Sequence, residues 1–426
     1  MSERNANRPG YKKTRVGWIP EEWRLKRIDE IGNVITGGTP SKSDETNYGN
    51  FLPWITASDM GRKYIFDTEI KLSEHGAKKG RIAPRGAVLV TCIASIGLNG
   101  IITEKMGFNQ QINAVVVNSE NNNEFFYYLI DFYKHRMIRL AGKTAVPIIN
   151  KSNFQSLILP IPSLNEQNII AEILSTWDRA IEQTRQLIDA KRRLKKGLMQ
   201  QLLMGRMRFP GFGSVVEKAG ELPEGWKEKK ITEIAEVIVS NVDKKINETE
   251  TPVLLCNYLD VFDNYFISSS LNFMSATASQ REIEKFTLRK FDVLITKDSE
   301  TSEDIANTSI VLEDVKHLVC GYHLAVLRPN RYLVDGLFLS YMLDFGNVHH
   351  HFVSHANGVT RFGLTISIIK NTKIPLPSIN EQRRISSTFF KLDNEIEYFE
   401  EKIDLFDRQK KGLMQKLSTG EVRVKA

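Results

Sequence analysis

Two absences narrow the reading first. No apolar run in this chain reaches the roughly 18 residues that a membrane helix needs, so a membrane-spanning helix is excluded. The three cysteines, Cys92, Cys256 and Cys320, stand far apart in apolar surroundings without CxxC spacing, so a disulfide scaffold is excluded and core thiols are expected. Met1 to Arg15 is polar and basic and lacks the apolar stretch of a secretory signal; it reads as the flexible tail of a cytoplasmic protein. An excess of one charge is also lacking: 58 Lys plus Arg against 51 Asp plus Glu leave a net charge of +7, which favours a polyanionic partner only modestly.

Motifs for chemistry are missing as well. Gly142-Lys143-Thr144 has the tail of a phosphate-binding loop, but the first glycine of G-x-x-x-x-G-K-[ST] would fall on Met137. Asp59 with Glu69-Ile70-Lys71 imitates a metal-dependent nuclease pattern that chance supplies often. His349, His350, His351 and His355 offer one i, i+4 pair but no glutamate of a hydrolase site, and read as a His-rich turn. An aromatic Asn/Asp-Pro-Pro-Tyr/Phe element and a glycine-rich loop after a clear strand are both absent, which argues against amino-methyltransferase chemistry.

What is there is a repeat, the feature to seek first because it decides the architecture. Ile19-Pro20-Glu21-Glu22-Trp23 recurs as Leu222-Pro223-Glu224-Gly225-Trp226, an offset of 203 residues. Pro160-Ile161-Pro162-Ser163-Leu164-Asn165-Glu166-Gln167 recurs as Pro375-Leu376-Pro377-Ser378-Ile379-Asn380-Glu381-Gln382, and Lys195-Lys196-Gly197-Leu198-Met199-Gln200 as Lys410-Lys411-Gly412-Leu413-Met414-Gln415, both at 215. The interior of the second copy is therefore 12 residues longer, and there the copies share little beyond pattern. A duplicated frame with diverged contents suits two different recognition surfaces.

Each closing motif starts a helix with the S-x-x-E form of a capping box. Ile170, Leu174, Trp177, Ile181, Thr184, Ile188, Lys191, Leu194, Leu198 and Leu202 then alternate at four and three, as do Ile385, Phe389, Leu392, Ile396, Phe399, Ile403, Phe406, Gln409, Leu413 and Leu417. That is a coiled-coil seam. Arms of about 60 Å at 1.5 Å per residue need a partner, and pairing each with the other, antiparallel, is the economical solution. The run Lys191 to Lys196 reads as a solvated face.

Trp18 to Pro162 and Leu222 to Pro377 mix short β runs, such as Ala87 to Thr91, Ile112 to Val117, Asp292 to Thr296 and Leu324 to Leu327, with helical pieces at Asn123 to Arg139 and Val334 to Phe345. The class is α+β. Turn-rich segments with amide or basic side chains are candidate DNA contacts, because amides and guanidinium groups read base edges and lysines hold phosphates. In the first copy these are Thr39, Ser41, Lys42, Lys78, Lys79, Arg81, Asn109, Gln110 and Gln111; in the second they are Asn241, Lys244, Lys245, Lys297, His323 and Arg361.

Thr36-Gly37-Gly38-Thr39-Pro40-Ser41 followed by Pro53-Trp54-Ile55 and Ser58-Asp59, together with the repeated closing and Lys-Lys-Gly-Leu-Met-Gln motifs, resembles the specificity subunits of type I restriction-modification enzymes over nearly the whole chain. The resemblance implies an α+β fold of two similar target-recognition domains separated by two long helices in an antiparallel coiled coil, with an internal pseudo-two-fold repeat. It divides the chain into a flexible basic tail (1–15), domains at 16–162 and 220–377, helices at 163–210 and 378–420, a linker at 211–219 and a tail at 421–426. It further implies a non-catalytic subunit that reads a two-part site in double-stranded DNA and carries no cofactor. Two modification subunits would bring S-adenosylmethionine, and restriction subunits would bring ATP and Mg. The second copy has Ser240-Asn241-Val242-Asp243 where the first has its Gly-Gly-Thr-Pro-Ser loop, which weakens the transfer of contact residues to it. A duplicated nuclease or methyltransferase and a coiled-coil scaffold that binds only protein are the competing readings.

Overall fold

The computed structural model describes residues 5–141, 145–216 and 221–424. The chain forms two compact units, Met1–Arg185 with Glu401–Ala426, and Gln186–Glu400. Each contains one α+β domain, the first half of the long helix that follows that domain, and the last half of the other long helix.

The two domains share one topology. In the first, a five-stranded sheet runs in the order Gly32–Thr36, Ile112–Val117, Val88–Thr91, Asn99–Ile102, Tyr64–Ile65; in the second the order is Ala235–Val239, Leu324–Pro329, Val293–Thr296, Thr308–Val311, Phe266–Ile267. Only the last pair in each sheet is parallel. The central strands Val88–Thr91 and Val293–Thr296 are wholly buried because both faces are covered, and side chains two apart point the same way. Val88 and Val90 enter a core shared with helix Asn123–Leu140 and with Ile170, Leu174 and Leu417, whereas Leu89 enters a second core against strands Tyr48–Ile55 and Met106–Phe108. Val293 and Ile295 divide from Leu294 in the same way.

The repeated motifs meet one another. In the first unit Trp23 Nε1 donates to Glu166 at 3.1 Å, and Arg423 grips the same carboxylate at 2.7 Å. In the second unit Trp226 Nε1 donates to Glu381 at 3.2 Å, and Arg208 binds it with two hydrogen bonds of 2.9 and 2.8 Å. The two arginines lie 215 residues apart, three positions after Gly205 and Gly420, whose φ angles of +64° and +68° end their helices in the left-handed region open to glycine. The capping box is therefore half made. Ser163 and Ser378 accept from the backbone N–H of Glu166 and Glu381, but the glutamate side chains turn to the tryptophans and arginines. Gln167 and Gln382 fasten the helix starts to the loops before the domain helices, accepting from the N–H of Asn122 at 2.8 Å and of Asp335 at 2.9 Å.

The long helices, Leu164–Leu202 and Ile379–Ser418, run antiparallel within each unit. In the first, Trp177 packs edge-on to Phe406 with centroids 5.5 Å apart, and Arg185 reaches Asp407. In the second, Lys191 pairs with Glu395 at 2.6 Å, Arg192 with Glu400, and Lys195 with Asp393 at 2.5 Å. The basic run is thus only partly a solvated face: Arg193 and Lys196 are exposed, but three of its cations bind the facing helix. The seam also departs from the expected register. Leu194 and Gln409 are exposed, and the next residues, Lys195 and Lys410, turn inward. Lys195 joins Asp393, which accepts from Tyr341 Oη at 2.6 Å; Lys410 joins Asp178, which accepts from Tyr128 Oη. At these points each helix begins to pack on a domain as well as on its partner helix: Lys195 lies over the Tyr265 and Tyr341 rings, and Lys410 over Tyr128.

Residues 5–15, expected to be a flexible tail, are fastened. Tyr11–Thr14 pairs with Gly17–Pro20, Tyr11 Oη donates to the Gly420 carbonyl at 2.5 Å, and Arg8 donates to that of Glu421 at 2.8 Å. The 421–426 tail likewise contributes Arg423 to its knot. All three cysteines are buried, as expected.

Candidate nucleic-acid interface

In the first domain the candidates gather around one turn. Gly37 and Gly38 donate to the carbonyls of Ile112 and Phe108 at 3.0 and 2.9 Å, which lays the 36–41 loop against the 108–112 turn. A Cβ on Gly37 would sit 1.9 Å from the Asn109 carbonyl oxygen, so only glycine allows this approach. Thr39 Oγ1 donates to Gln110 Oε1, and Asn109 Nδ2 to Gln111 Oε1 at 3.2 Å. The Arg81 stem passes beside Gly38. Thr39, Arg81, Asn109, Gln110 and Gln111 are thereby brought together.

The others are placed differently. Ser41 turns to Ser43 at 2.8 Å, and Lys42 is exposed. Lys79 binds Asp44 at 3.1 Å, and Lys78 binds Glu74 one helical turn away at 3.2 Å. The Asp44 carboxyl is held below the usual carboxylate range, first by the Thr46 hydroxyl and then by Lys79.

In the second domain all six candidates line two adjoining concavities that share Lys244. One, of about 490 Å³, has His323, Arg361, Asn257, Tyr258, Phe273 and Asp298 on its walls. The other, of about 620 Å³, is bounded by Asn241, Lys244, Lys245, Lys297 and Tyr322. Asn241 Nδ2 donates to Glu282 at 2.8 Å, and the exposed Lys245 lies 3.7 Å from the Asp243 carboxylate. Arg361 stands on a tight hairpin where Asn357 and Gly363 exchange backbone hydrogen bonds of 3.0 and 2.9 Å. Gly358, with φ of +147°, makes that hairpin possible, since a Cβ there would lie 1.7 Å from the Arg361 carbonyl.

Sequence reasoning missed Asp298. Its Oδ2 accepts from His323 Nδ1 and from Lys297 Nζ, each at 2.9 Å. Burial pushes this carboxyl up, but the hydrogen bonds from His323 and Lys297, with the Lys297 charge, outweigh it and hold it below the usual range. The adjacency of Lys297 and Asp298 at a strand end was the only available signal.

Three of the residues weighed for catalysis are engaged elsewhere. Asp59 accepts from the Thr56 backbone N–H and hydroxyl, each at 2.8 Å, and caps its own turn; Lys71 is paired with Asp67 at 2.9 Å. His355 Nδ1 donates to the His351 carbonyl at 2.8 Å, so that nitrogen is turned to the backbone. Gly142-Lys143-Thr144 lies outside the described residues.

The model of the type I restriction modification DNA specificity domain matches this chain twice, at residues 20–190 and 223–405. The chain belongs to that family. The specificity-domain matches bracket the two α+β domains and most of both helices. The family member is similar to the type I restriction enzyme MjaIX specificity subunit of Methanocaldococcus jannaschii, at 25% identity over 97% of this chain and 96% of that one. It is also similar to the HindI specificity subunit of Haemophilus influenzae, at 29% identity over 39% of each. In fold it resembles the type I restriction-modification S subunit of M. genitalium, with a TM-score of 0.59, 16% identity, and 98% and 99% of the two chains covered. A specificity subunit is the non-catalytic component of such an enzyme, the one that recognises the DNA sequence.

Proposed function

We propose that this specificity subunit reads a bipartite site in double-stranded DNA, one half-site per domain, and brings two adenine-modifying methyltransferase subunits to it. The candidate contacts are Thr39, Arg81, Asn109, Gln110 and Gln111 in the first domain and Asn241, Lys244, Lys245, Lys297, His323 and Arg361 in the second. Lys42, Lys78 and Lys79 act as phosphate contacts beside the first cluster. The partner subunits carry S-adenosylmethionine; restriction subunits, with ATP and Mg, join the same assembly in the cytoplasm. The observation that carries this reading is one backbone frame built twice with unlike side chains at equivalent turns: an amide cluster in one domain, and an imidazole, lysines and an arginine in the other. Amides suit adenine or mixed edges, whereas arginine and lysine suit guanine and phosphate. Among the described residues no helix is long and apolar enough to cross a membrane.

Exchange of residues 16–162 for the same domain of a relative tests it. One half-site of the methylated sequence should change while the other stays. Change in both halves, or in neither, would contradict one half-site per domain.

A further inference from the structure

One backbone position recurs in both domains directly before the inner strand of the five-stranded sheet. The Cys92 N–H donates to the Gln111 carbonyl at 2.8 Å, and the Lys297 N–H to the His323 carbonyl at 3.0 Å. The next residues match as well: Ile112 stands opposite Thr91, and Leu324 opposite Thr296. Gln111 and His323 are therefore equivalent, and both are half-buried beside an exposed neighbour, Gln110 or Tyr322. Each is steered by a side chain: Gln111 by Asn109, and His323 by Asp298.

The carboxylate is not a requirement of the frame. Asp298 stands opposite Gly363 in an antiparallel bridge, and the matching bridge of the first domain joins Ile93 to Ile148. An isoleucine fills the place that Asp298 takes. The second domain thus has a charged group, 37% exposed and on the wall of its cavity, where packing alone is satisfied by an aliphatic one.

An ionised carboxylate can only accept, so the Nδ1 that faces Asp298 carries the proton. In the neutral ring Nε2 is then left with its lone pair as an acceptor, in the way that a carboxylate fixes the tautomer of a histidine elsewhere. We propose that Asp298 is a positioning residue that makes His323 Nε2 a fixed hydrogen-bond acceptor, by which the second domain selects a base with an exocyclic amine at one position of its half-site. In the major groove those amines are adenine N6 and cytosine N4; guanine and thymine present acceptors there. Lys297, held by the same carboxylate, keeps Asp298 ionised and reaches the neighbouring phosphate. The inference rests on the half-site reading above and adds the residue that sets the chemistry of one position.

The test selects bound duplexes from a randomised library with the full chain assembled with its modification subunits, for the unaltered protein, Asp298→Asn and His323→Ala. The unaltered protein should give a two-part motif with adenine or cytosine preferred at one position of the second half-site. A carboxamide can donate to Nδ1 as well as accept from it, so Asp298→Asn frees the tautomer. It should lower the preference at that single position about tenfold, the scale of one base-edge hydrogen bond. His323→Ala should do the same at the same position, and the first half-site should stay unchanged in both. A motif unchanged in folded Asp298→Asn, a loss spread evenly over all positions, or guanine or thymine at the affected position would overturn the proposal. Should Asp298→Asn fail to assemble, His323→Ala decides alone, and an unchanged motif there overturns it equally. An unaltered protein that selects no motif would instead overturn the half-site reading, and this proposal with it.

Discussion

Arg208→Ala offers the sharpest test of what binds a helix end to its domain. In the second unit the Arg208 and Glu381 side chains are 4% and 1% exposed, and the arginine also donates to the Ser214 and Glu224 carbonyls at 2.9 Å each. Truncation removes four hydrogen bonds and leaves the Glu381 carboxylate buried with Trp226 Nε1 as its remaining partner in this knot. Breaking a buried pair on one side costs about 3–5 kcal/mol, because an uncompensated charge stays behind. For a folding unit of this size that corresponds to a fall in Tm of about 6–20 °C. Adding Glu381→Gln should recover part of the loss, since a neutral amide can stay buried beside Trp226 with a residual cost of about 1–3 kcal/mol. Differential scanning calorimetry of the full chain gives the shift, and hydrogen exchange over residues 221–230 shows whether the affected transition is that of the second unit. A loss below about 1 kcal/mol, or a double variant no better than the single one, would refute the argument that an unpaired charge governs the cost.

Further outcomes follow from the same geometry. Arg423→Ala should destabilise the first unit less than Arg208→Ala does the second, because the Arg423 side chain is 36% exposed and water can replace part of its contact with Glu166; calorimetry of the two variants ranks them. Gly37→Ala should cost about 1–3 kcal/mol as the 36–41 loop is pushed off the Asn109 carbonyl, and should blur only the first half-site in a binding selection. The Asp298 carboxyl is lower in the folded chain than its ordinary value, so its stabilisation is present above the ordinary carboxylate range and fades as pH falls through the folded value. Denaturant midpoints between roughly pH 5 and pH 3 should therefore fall more steeply for the unaltered protein than for Asp298→Asn. Replacing Lys42 or Lys245, both exposed, should lower affinity for all duplexes alike and reduce the salt slope by about 1 for each phosphate no longer neutralised.

The duplication made much of this legible in advance. Because front, rear and helix motifs recur in register, the two domains, their α+β class and the paired helices could be read from spacing, and the runs at 88–91, 112–117, 293–296 and 324–327 formed the expected strands. What spacing could not show is which distant residues meet. Arg208 and Arg423 look like ordinary surface arginines until Glu381 and Glu166, 173 and 257 residues away, are seen to require them. The heptad pattern placed Leu194 and Gln409 inside because periodicity assumes one packing partner throughout, whereas near Lys195 and Lys410 each helix packs on a domain as well as on its neighbour helix. At the candidate interface the residue types were legible as amides and cations near turns. Asp298 was not, since an acidic side chain in a site for a polyanion has meaning only once its hydrogen bonds to His323 and Lys297 are known.

The central claim, that the two domains read two halves of one DNA site, is tested most directly by expressing the chain with its modification subunit and mapping adenine methylation across a genome by long-read sequencing. The account predicts one two-part motif with a fixed unread gap and a methylated adenine in each half. A continuous motif, or methylation that does not depend on this chain, would contradict it.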